Sequence, residues 1–262
     1  MTDSPDIPGR ELLEHAAKAA HTGGAYAASR QDRRMDVVEL SHHDVKLQMD
    51  FQTQEEIESY LRSAYPDHHL FGEESDRHEM KAGYTWIVDP IDGTMNYFHG
   101  IPYWNCSVAV AKDGCVVAGA VYAPMQDEMY TATIDGPSCL NETEIRVSDV
   151  STLEESIVIT AGLARLYDGG EERLSSFLQL ITRVSKFRIL GAAALDLCYV
   201  ACGRADSLYE YRLNIWDTAA GGLIAERAGA LIRTFDRESD LTSAYLVANP
   251  HLFEQLASEL GI

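Results

Sequence analysis

A short segment with two aspartates, Asp89-Pro90-Ile91-Asp92-Gly93-Thr94, follows an aromatic and β-branched run at residues 84–88. The run predicts a buried strand that carries Asp89 to its carboxyl end. Pro90 has no N–H and a fixed φ, so we expect it to end the strand and residues 92–96 to open a helix. The N–H groups at a helix start attract an anion, whereas the two carboxylates repel it unless divalent cations lie between them. The segment therefore predicts metal-bridged phosphate, and the alternative is an Asp-capped turn without a ligand.

Two further acidic segments lie elsewhere in the chain. Glu73 and Glu74 end a short apolar run, and Asp217 stands at the start of an Ala-rich helix pattern. Together with the 89–94 segment, they resemble three motifs of the inositol monophosphatase family in the same order: Glu-Glu, Asp-Pro-Ile-Asp-Gly-Thr and Trp-Asp-x-x-x-Gly. The members of this family are magnesium-dependent, lithium-sensitive phosphatases. Weaker similarity extends over about residues 44–249, which is most of the chain.

Composition predicts a soluble, cytoplasmic protein with reduced cysteines. The 262 residues are 46% hydrophobic, which suffices for a large core, and no apolar run approaches the roughly 18 residues that span a bilayer. The first residues are acidic, unlike a signal peptide. The five cysteines are odd in number and form no CxxC pair. A net charge of −20 argues against binding to nucleic acid or anionic membranes, since both bind basic surfaces.

Hydrophobic periodicity predicts the order of the elements. We expect an amphipathic helix over residues 9–28 and a strand edge that meets a second helix at Asp50. Strands separated by turn residues, at 86–88, 105–111, 115–122 and 129–133, predict an antiparallel meander. Strands at 156–160, 187–190 and 207–211 then alternate with helices at about 171–182, 192–201 and 217–227. Asn249 and Pro250 predict the N-cap and first position of a last helix.

Strands followed by alternating helices and strands indicate a layered α/β (α+β) architecture. The resemblance implies the α-β-α-β-α sandwich of the inositol monophosphatase and fructose-1,6-bisphosphatase type, as a homodimer with the site between the two halves of each chain. No Pro-, Gly- or Ser-rich linker separates free domains, so we expect two tightly packed halves. Residues 1–149 carry Glu73 and the 89–94 motif, and residues 150–262 carry Asp217 and the substrate pocket.

The resemblance implies a metal centre at these motifs. Carboxylates that converge repel one another strongly unless cations lie between them. Oxygen ligands without His or Cys favour Mg²⁺, with Mn²⁺ as a substitute, over zinc. In the family arrangement Glu73, Asp89 and the Ile91 carbonyl hold one metal, while Asp89, Asp92 and Asp217 hold another. Two cations about 4 Å apart can activate a water and stabilise the departing alkoxide.

The resemblance also implies the catalytic residues Thr94, Asp50 and Glu73. Thr94 would orient the attacking water, with simple helix capping as the alternative, and Asp50 would hydrogen-bond Thr94 and help to take the water's proton. The family carries Asp-Leu-Val-Thr before this acid, whereas Leu47 replaces that Thr here. The departure leaves open whether a third metal binds.

A second set of positions is implied to contact the substrate. Gly191-Ala192-Ala193-Ala194 corresponds to Gly-Thr-Ala-Ala in the family, so Ala192 lacks the hydroxyl. Glu210 corresponds to an acid that hydrogen-bonds a ring hydroxyl, with an exposed strand-end Glu as the alternative. Arg212 either recognises a second phosphate or carboxylate or pairs with a surface acid. The full set is Asp92, Gly93, Thr94, Gly191, Ala192, Ala193, Glu210, Arg212 and Asp217.

The expected activity is Mg²⁺-dependent hydrolysis of a small inositol, sugar or polyol monophosphate. Because Arg212 and Ala192 differ from the residues that the family commonly has, three related substrates are alternatives: 3′-phosphoadenosine 5′-phosphate, fructose 1,6-bisphosphate and histidinol phosphate. A catalytically silent metal-binding homologue is the alternative that is not an enzyme.

Overall fold

The computed structural model describes residues 6–40, 45–75, 81–160, 171–237, 239 and 241–262. Its helices are Gly9–Ala28 (α1), Gln48–Ala64 (α2), Thr94–His99 (α3), Glu171–Ile181 (α4), Ala193–Ala201 (α5), Ile215–Arg227 (α6) and Phe253–Leu260 (α7). Its strands are Val37–Leu40 (β1), Val45–Leu47 (β2), His69–Gly72 (β3), Tyr84–Asp92 (β4), Asn105–Lys112 (β5), Cys115–Ala123 (β6), Glu128–Thr133 (β7), Cys139–Leu140 (β8), Thr143–Glu144 (β9), Ile157–Thr160 (β10), Lys186–Arg188 (β11), Ser207–Asn214 (β12), Leu231–Phe235 (β13) and Thr242–Ala248 (β14).

The larger sheet has the strand order β3-β4-β5-β6-β7-β8-β9. Strands β3 and β4 pair in parallel, and each later neighbour pairs antiparallel. The predicted antiparallel meander is therefore confirmed. A short two-stranded sheet, β1 with β2, precedes it.

The smaller sheet has the order β11-β10-β12-β14-β13. Strands β11, β10 and β12 are parallel, as expected for strands joined through helices, whereas β14 and β13 add on antiparallel. Strands β13 and β14 were not predicted from the sequence. Their β-branched and aromatic residues, in Leu231–Phe235 and Thr242–Ala248, are the signal that identifies them.

Five layers result from how the helices cover the two sheets. Helices α1 and α2 pack on the outer face of the larger sheet, where Leu12 and Ile57 meet Trp86. Helices α5 and α6 lie between the sheets, and α4 and α7 cover the outer face of the smaller sheet. Small residues allow the middle layer to approach closely, since a Cβ on Gly119 would lie 2.8 Å from the Ala220 Cα. The predicted α-β-α-β-α sandwich is confirmed.

Two local predictions were wrong. Strand β4 continues through Pro90 to Asp92, because the ladder with β5 shifts register between Asp89 and Asp92. A proline inside such a bulge removes no ladder hydrogen bond. Asn249 does not cap the last helix: its Oδ1 accepts hydrogen bonds from the His251 and Leu252 N–H groups, both 3.0 Å away, and thus closes the turn before α7.

The division into two halves remains a prediction. Residues 69–144 supply the larger sheet and residues 157–248 the smaller one, with the predicted boundary at Asp149-Val150 between them. The middle helices come from the second half and pack on strands of the first. Within the described ranges, no helix is both long and apolar enough to cross a membrane.

Candidate metal centre

Three aspartates converge where the larger sheet meets the middle helices. Asp89, Asp92 and Asp217 each offer one carboxylate oxygen, and these oxygens all lie within 4.8 Å of one another. Ile87 packs against the middle layer, so Asp89, two residues further along β4, points to the same side. Asp217 comes from the first turn of α6. Asp89 and Asp92 are only 2% and 7% exposed, which makes their mutual repulsion strong.

Glu73 joins this group from the end of β3. Its N–H donates to the Val88 carbonyl at 3.0 Å, which holds the residue beside β4. The side chains of Glu73 and Asp89 lie within hydrogen-bonding distance of each other. Burial, followed by the neighbouring carboxylates, raises the pKa of both groups well above the usual range. The predicted ligands Glu73, Asp89, Asp92 and Asp217 are thus brought together.

Asp92 is held by donors from both halves of the chain. Its Oδ1 accepts the Ala193 N–H at 2.9 Å, and its Oδ2 accepts the Ala194 N–H at 2.8 Å. Asn105, its cross-strand neighbour on β5, donates Nδ2 to the same Oδ2 at 2.5 Å. Burial raises the pKa of Asp92, and these hydrogen bonds oppose that rise. Asn105 was not predicted, although its place opposite the motif in the meander is a usable signal.

Asp217 is fixed at the start of α6. Its Oδ2 accepts the Asn214 N–H at 2.7 Å, an N-terminal capping interaction. The last residue of the Trp-Asp-x-x-x-Gly motif has a separate role, because a Cβ on Gly221 would lie 2.9 Å from the Ala194 carbonyl oxygen. Gly221 therefore lets α6 approach α5, the helix whose amides hold Asp92.

The end of the 89–94 motif forms a tight turn. The Thr94 hydroxyl donates to the Ile91 carbonyl at 3.0 Å. Gly93 has φ 91° and precedes α3. A Cβ there would lie 3.1 Å from the Ala192 Cβ and 3.2 Å from the Gly191 carbonyl oxygen. The metal motif and the predicted substrate segment are therefore adjacent, and glycine is needed at 93 both for space and for its backbone conformation.

Asp50 is buried near this group. Its Oδ2 accepts the Leu47 N–H at 2.7 Å at the start of α2, and its charge is close enough to raise the pKa of Glu73. The prediction that Asp50 hydrogen-bonds Thr94 is not met by the hydroxyl proton of Thr94, which is donated to the Ile91 carbonyl oxygen. The roles of Asp50 and Thr94 in orienting and deprotonating a water remain predictions.

Two further predicted substrate residues lie on β12. Glu210 is 5% exposed, so the alternative of an exposed strand-end Glu is wrong. It shares the inner face of β12 with Leu208, whereas Tyr209 faces the outer helices. Arg212 is exposed and has φ 57°, at the irregularity between Glu210 and Leu213. Glu210 thus faces the middle layer, and its substrate role and that of Arg212 remain predictions.

The residues present fit a hard divalent cation. The Asp89 Oδ1 is enclosed, and no hydrogen-bond donor among the described residues reaches it. The converging ligand atoms are carboxylate oxygens, the donors that Mg²⁺ prefers. A buried carboxylate oxygen without a donor is costly unless a cation binds it. The acidic cluster is therefore suited to metal binding.

Comparison with known proteins decides the family. The model of the inositol monophosphatase family matches residues 9–261. The chain belongs to the inositol monophosphatase family. This is a family of phosphatases that act on small phosphorylated substrates and typically depend on metal.

Other members resemble the chain over most of its length. It is 34% identical to the "Nus factor SuhB" of Pasteurella multocida, over 95% of each chain. It is 37% identical to the "Inositol-1-monophosphatase" of Mesorhizobium japonicum, over 76% of this chain and 75% of that one. The crystal structure of the extragenic suppressor protein suhB from Bartonella henselae superposes with a TM-score of 0.87 at 30% identity, covering 95% of this chain and 98% of that one.

Proposed function

We propose that this member of the family is a Mg²⁺-dependent phosphomonoesterase for a small inositol, sugar or polyol monophosphate. The convergence of three buried or half-buried aspartates with Glu73 is the observation that carries the proposal. The similarity to the M. japonicum inositol-1-monophosphatase supports it.

The cation would be held by Glu73, Asp89, the Ile91 carbonyl, Asp92 and Asp217, in the arrangement that the family resemblance implies. Bound Mg²⁺, or Mn²⁺ in its place, would offset the carboxylate charge, attract the phosphate and supply Lewis-acid activation. The Ile91 carbonyl oxygen accepts a hydrogen bond from the Thr94 hydroxyl and retains a second lone pair that could bind the cation.

The side chains of the turn then act on water and substrate. Because the Thr94 hydroxyl donates its proton to Ile91, its oxygen is left to accept a hydrogen bond from a water molecule and orient it. Asp50 would receive the proton of that water. The substrate would be contacted by Gly93 and by the segment that leads into α5, which is Gly191, Ala192 and Ala193. Glu210 would accept hydrogen bonds from the substrate hydroxyls. Arg212 would bind a further anionic group.

Phosphate release from a panel of phosphorylated inositols, sugars, nucleotides and histidinol, with Mg²⁺ and with chelator, tests the proposal. Asp89→Asn keeps the side-chain shape and removes one charge from the cluster, so the protein should fold at least as well. We expect activity to fall by more than about 100-fold, beyond what loss of an outer partner costs. Chelator-resistant turnover, or full activity in Asp89→Asn, would contradict the two-metal mechanism.

A second candidate role comes from the names of relatives. The P. multocida protein is called a Nus factor, and 34% identity over 95% of the chain allows the same role here. The carboxylate cluster favours the phosphatase. The expectation that nucleic acid is not a partner rests on the net charge of −20. A mobility-shift titration with RNA and DNA at low salt checks it, and saturable binding would support the second role.

We also propose that the protein forms a homodimer and is located in the cytoplasm. Light scattering on the purified protein measures the first, with twice the 29.0 kDa chain mass expected. Fractionation of the cells of origin tests the second.

A further inference from the structure

Asn105 lies at the metal centre without belonging to any of the three motifs. It opens β5 directly opposite Asp92 and is fully buried. Its Nδ2 donates to the Asp92 Oδ2 at 2.5 Å. An ionised carboxylate only accepts hydrogen bonds, so the amide nitrogen is the end that faces it.

Asn105 supplies a side-chain donor to Asp92, whereas the donors from α5 are backbone amides. Oδ2 accepts both Asn105 Nδ2 and the Ala194 N–H, and Oδ1 accepts the Ala193 N–H. The Leu195 N–H is a further donor to this carboxylate. Asn105 is thus the contact that ties the carboxylate to its own sheet, whereas the amides tie it to α5.

An amide at this position does not serve the packing of the sheet. The Asn105 Oδ1 is enclosed, and no donor in the described part of the chain reaches it. Ala109 and Ala111, further along the same face of β5, pack against the middle layer. A buried acceptor without a donor destabilises a fold, and an apolar side chain of the same shape avoids that cost.

We infer that Asn105 is a positioning residue for the metal centre, which fixes the orientation of the Asp92 carboxylate toward the cation. The inference rests on the proposed function, because the cation is the one proposed above. Asn105 would act through Asp92, the side chain to which it donates.

Asn105→Leu tests this, because leucine has nearly the shape of asparagine and no donor. Mn²⁺ binding by electron paramagnetic resonance, with Mg²⁺ as competitor, gives the metal affinity, and calorimetry in chelator gives the metal-free Tm. We expect the Mn²⁺ Kd to rise by about tenfold or more, as for other outer partners of metal ligands. The metal-free Tm should fall only modestly, since Asp92 loses one donor while a buried acceptor without a donor is removed as well.

Thr85→Val is the matched control. Thr85 is also buried, on the neighbouring strand β4, and its Oγ1 has no partner among the described residues. This substitution likewise removes a polar atom from the same sheet, yet it should leave the Mn²⁺ Kd at the wild-type value. An equal loss of affinity in both variants would overturn the inference.

A wild-type Kd in Asn105→Leu overturns the inference, whatever its Tm. If that variant does not fold, Asn105→Ala gives the same measurement. Failure of both to fold in chelator makes Asn105 a structural residue and also overturns it. Absence of Mn²⁺ binding in the wild-type protein overturns the proposed function together with the inference. Normal wild-type binding with an unaffected variant overturns the inference alone.

Discussion

At the scale of single residues, several acids of the site also cap helices. Asp92 accepts the first amides of α5, Asp217 accepts the Asn214 N–H at α6, and Asp50 accepts the Leu47 N–H at α2. For Asp92, these hydrogen bonds oppose the rise in pKa that burial causes. Glu73 and Asp89 face each other instead, and burial together with the neighbouring carboxylates raises the pKa of both.

We expect the metal-free protein to lose stability as the pH rises. The folded-state pKa values of Glu73 and Asp89 lie well above their usual values, so the folded protein binds more protons than the unfolded chain between the two sets of pKa values. This contribution is fully present below the unfolded pKa of about 4 and is lost as pH rises through the folded values. Urea unfolding in chelator from pH 5 to 8 measures it. Subtraction of the same series for Asp89→Asn isolates the pair, and a flat difference would contradict the prediction.

A second buried acid depends on one tyrosine. Asp196 lies in the first turn of α5, burial raises its pKa well above the usual range, and Tyr103 donates its hydroxyl to the Asp196 Oδ1 at 2.6 Å. Tyr103→Phe removes that donor, and we expect a loss of about 1–3 kcal/mol in the free energy of unfolding. The same change in an Asp196→Asn background should cost less, since no acid is then left without its donor. Equal costs in both backgrounds would show that the pair does not interact.

The sequence identifies the residue types of the site and leaves out what holds them. Paired acids, glycine and threonine in a fixed order indicated metal and phosphate chemistry. The backbone amides that donate to Asp92 lie 101 and 102 residues away in the sequence, and no local sequence pattern predicts these contacts. Asn105 was missed because a single buried amide has no periodic signal, and its place opposite Asp92 is evident only once the two meander strands are paired in register.

At the scale of elements, prediction worked where periodicity is strong. The amphipathic pattern predicted α1 at its observed bounds, Gly9–Ala28, and the meander strands to within a few residues. It failed at Pro90, because a bulge set by pairing with β5 overrides the local preference of proline. Strand ends of this kind depend on the partner strand, which sequence alone does not describe.

The contact between α5 and α6 supplies an element-scale prediction. Gly221→Ala places a methyl group 2.9 Å from the Ala194 carbonyl oxygen and the Leu197 Cβ. We expect a loss of about 1–3 kcal/mol in stability from overpacking, and weaker Mg²⁺ binding because the amides that hold Asp92 shift. Chemical unfolding and metal titration measure the two effects.

The adjacent glycine is the matched control. A Cβ on Gly222 has nothing within 4 Å, so Gly222→Ala should stabilise α6 by about 0.5–1 kcal/mol through helix propensity. Similar behaviour of the two variants would show that the close approach at Gly221 does not position the site.

At the scale of the whole molecule, the chain carries 41 acidic residues against 21 basic ones, so like charges repel one another over the entire surface. Metal binding, in contrast, relieves the repulsion at one site. We expect MgCl₂ to raise the Tm more than NaCl at equal ionic strength, since NaCl only screens charge. At about 100 times its Kd, Mg²⁺ adds about 2.7 kcal/mol. Scanning calorimetry with Asp89→Asn as control checks this, and equal shifts in the two salts would contradict specific binding.

Asp92 holds the first turn of α5 against the larger sheet, in addition to its expected place beside the metal. A relative that had lost catalysis would therefore still be selected to keep this aspartate, because its replacement would loosen the junction between the two sheets. In the described part of the chain, no donor reaches the Asp89 Oδ1, and the side-chain partner of Asp89 is another acid, Glu73. Among inactive descendants of this fold, substitutions should accumulate first at position 89, and that position is the better indicator of whether a related protein is still an enzyme.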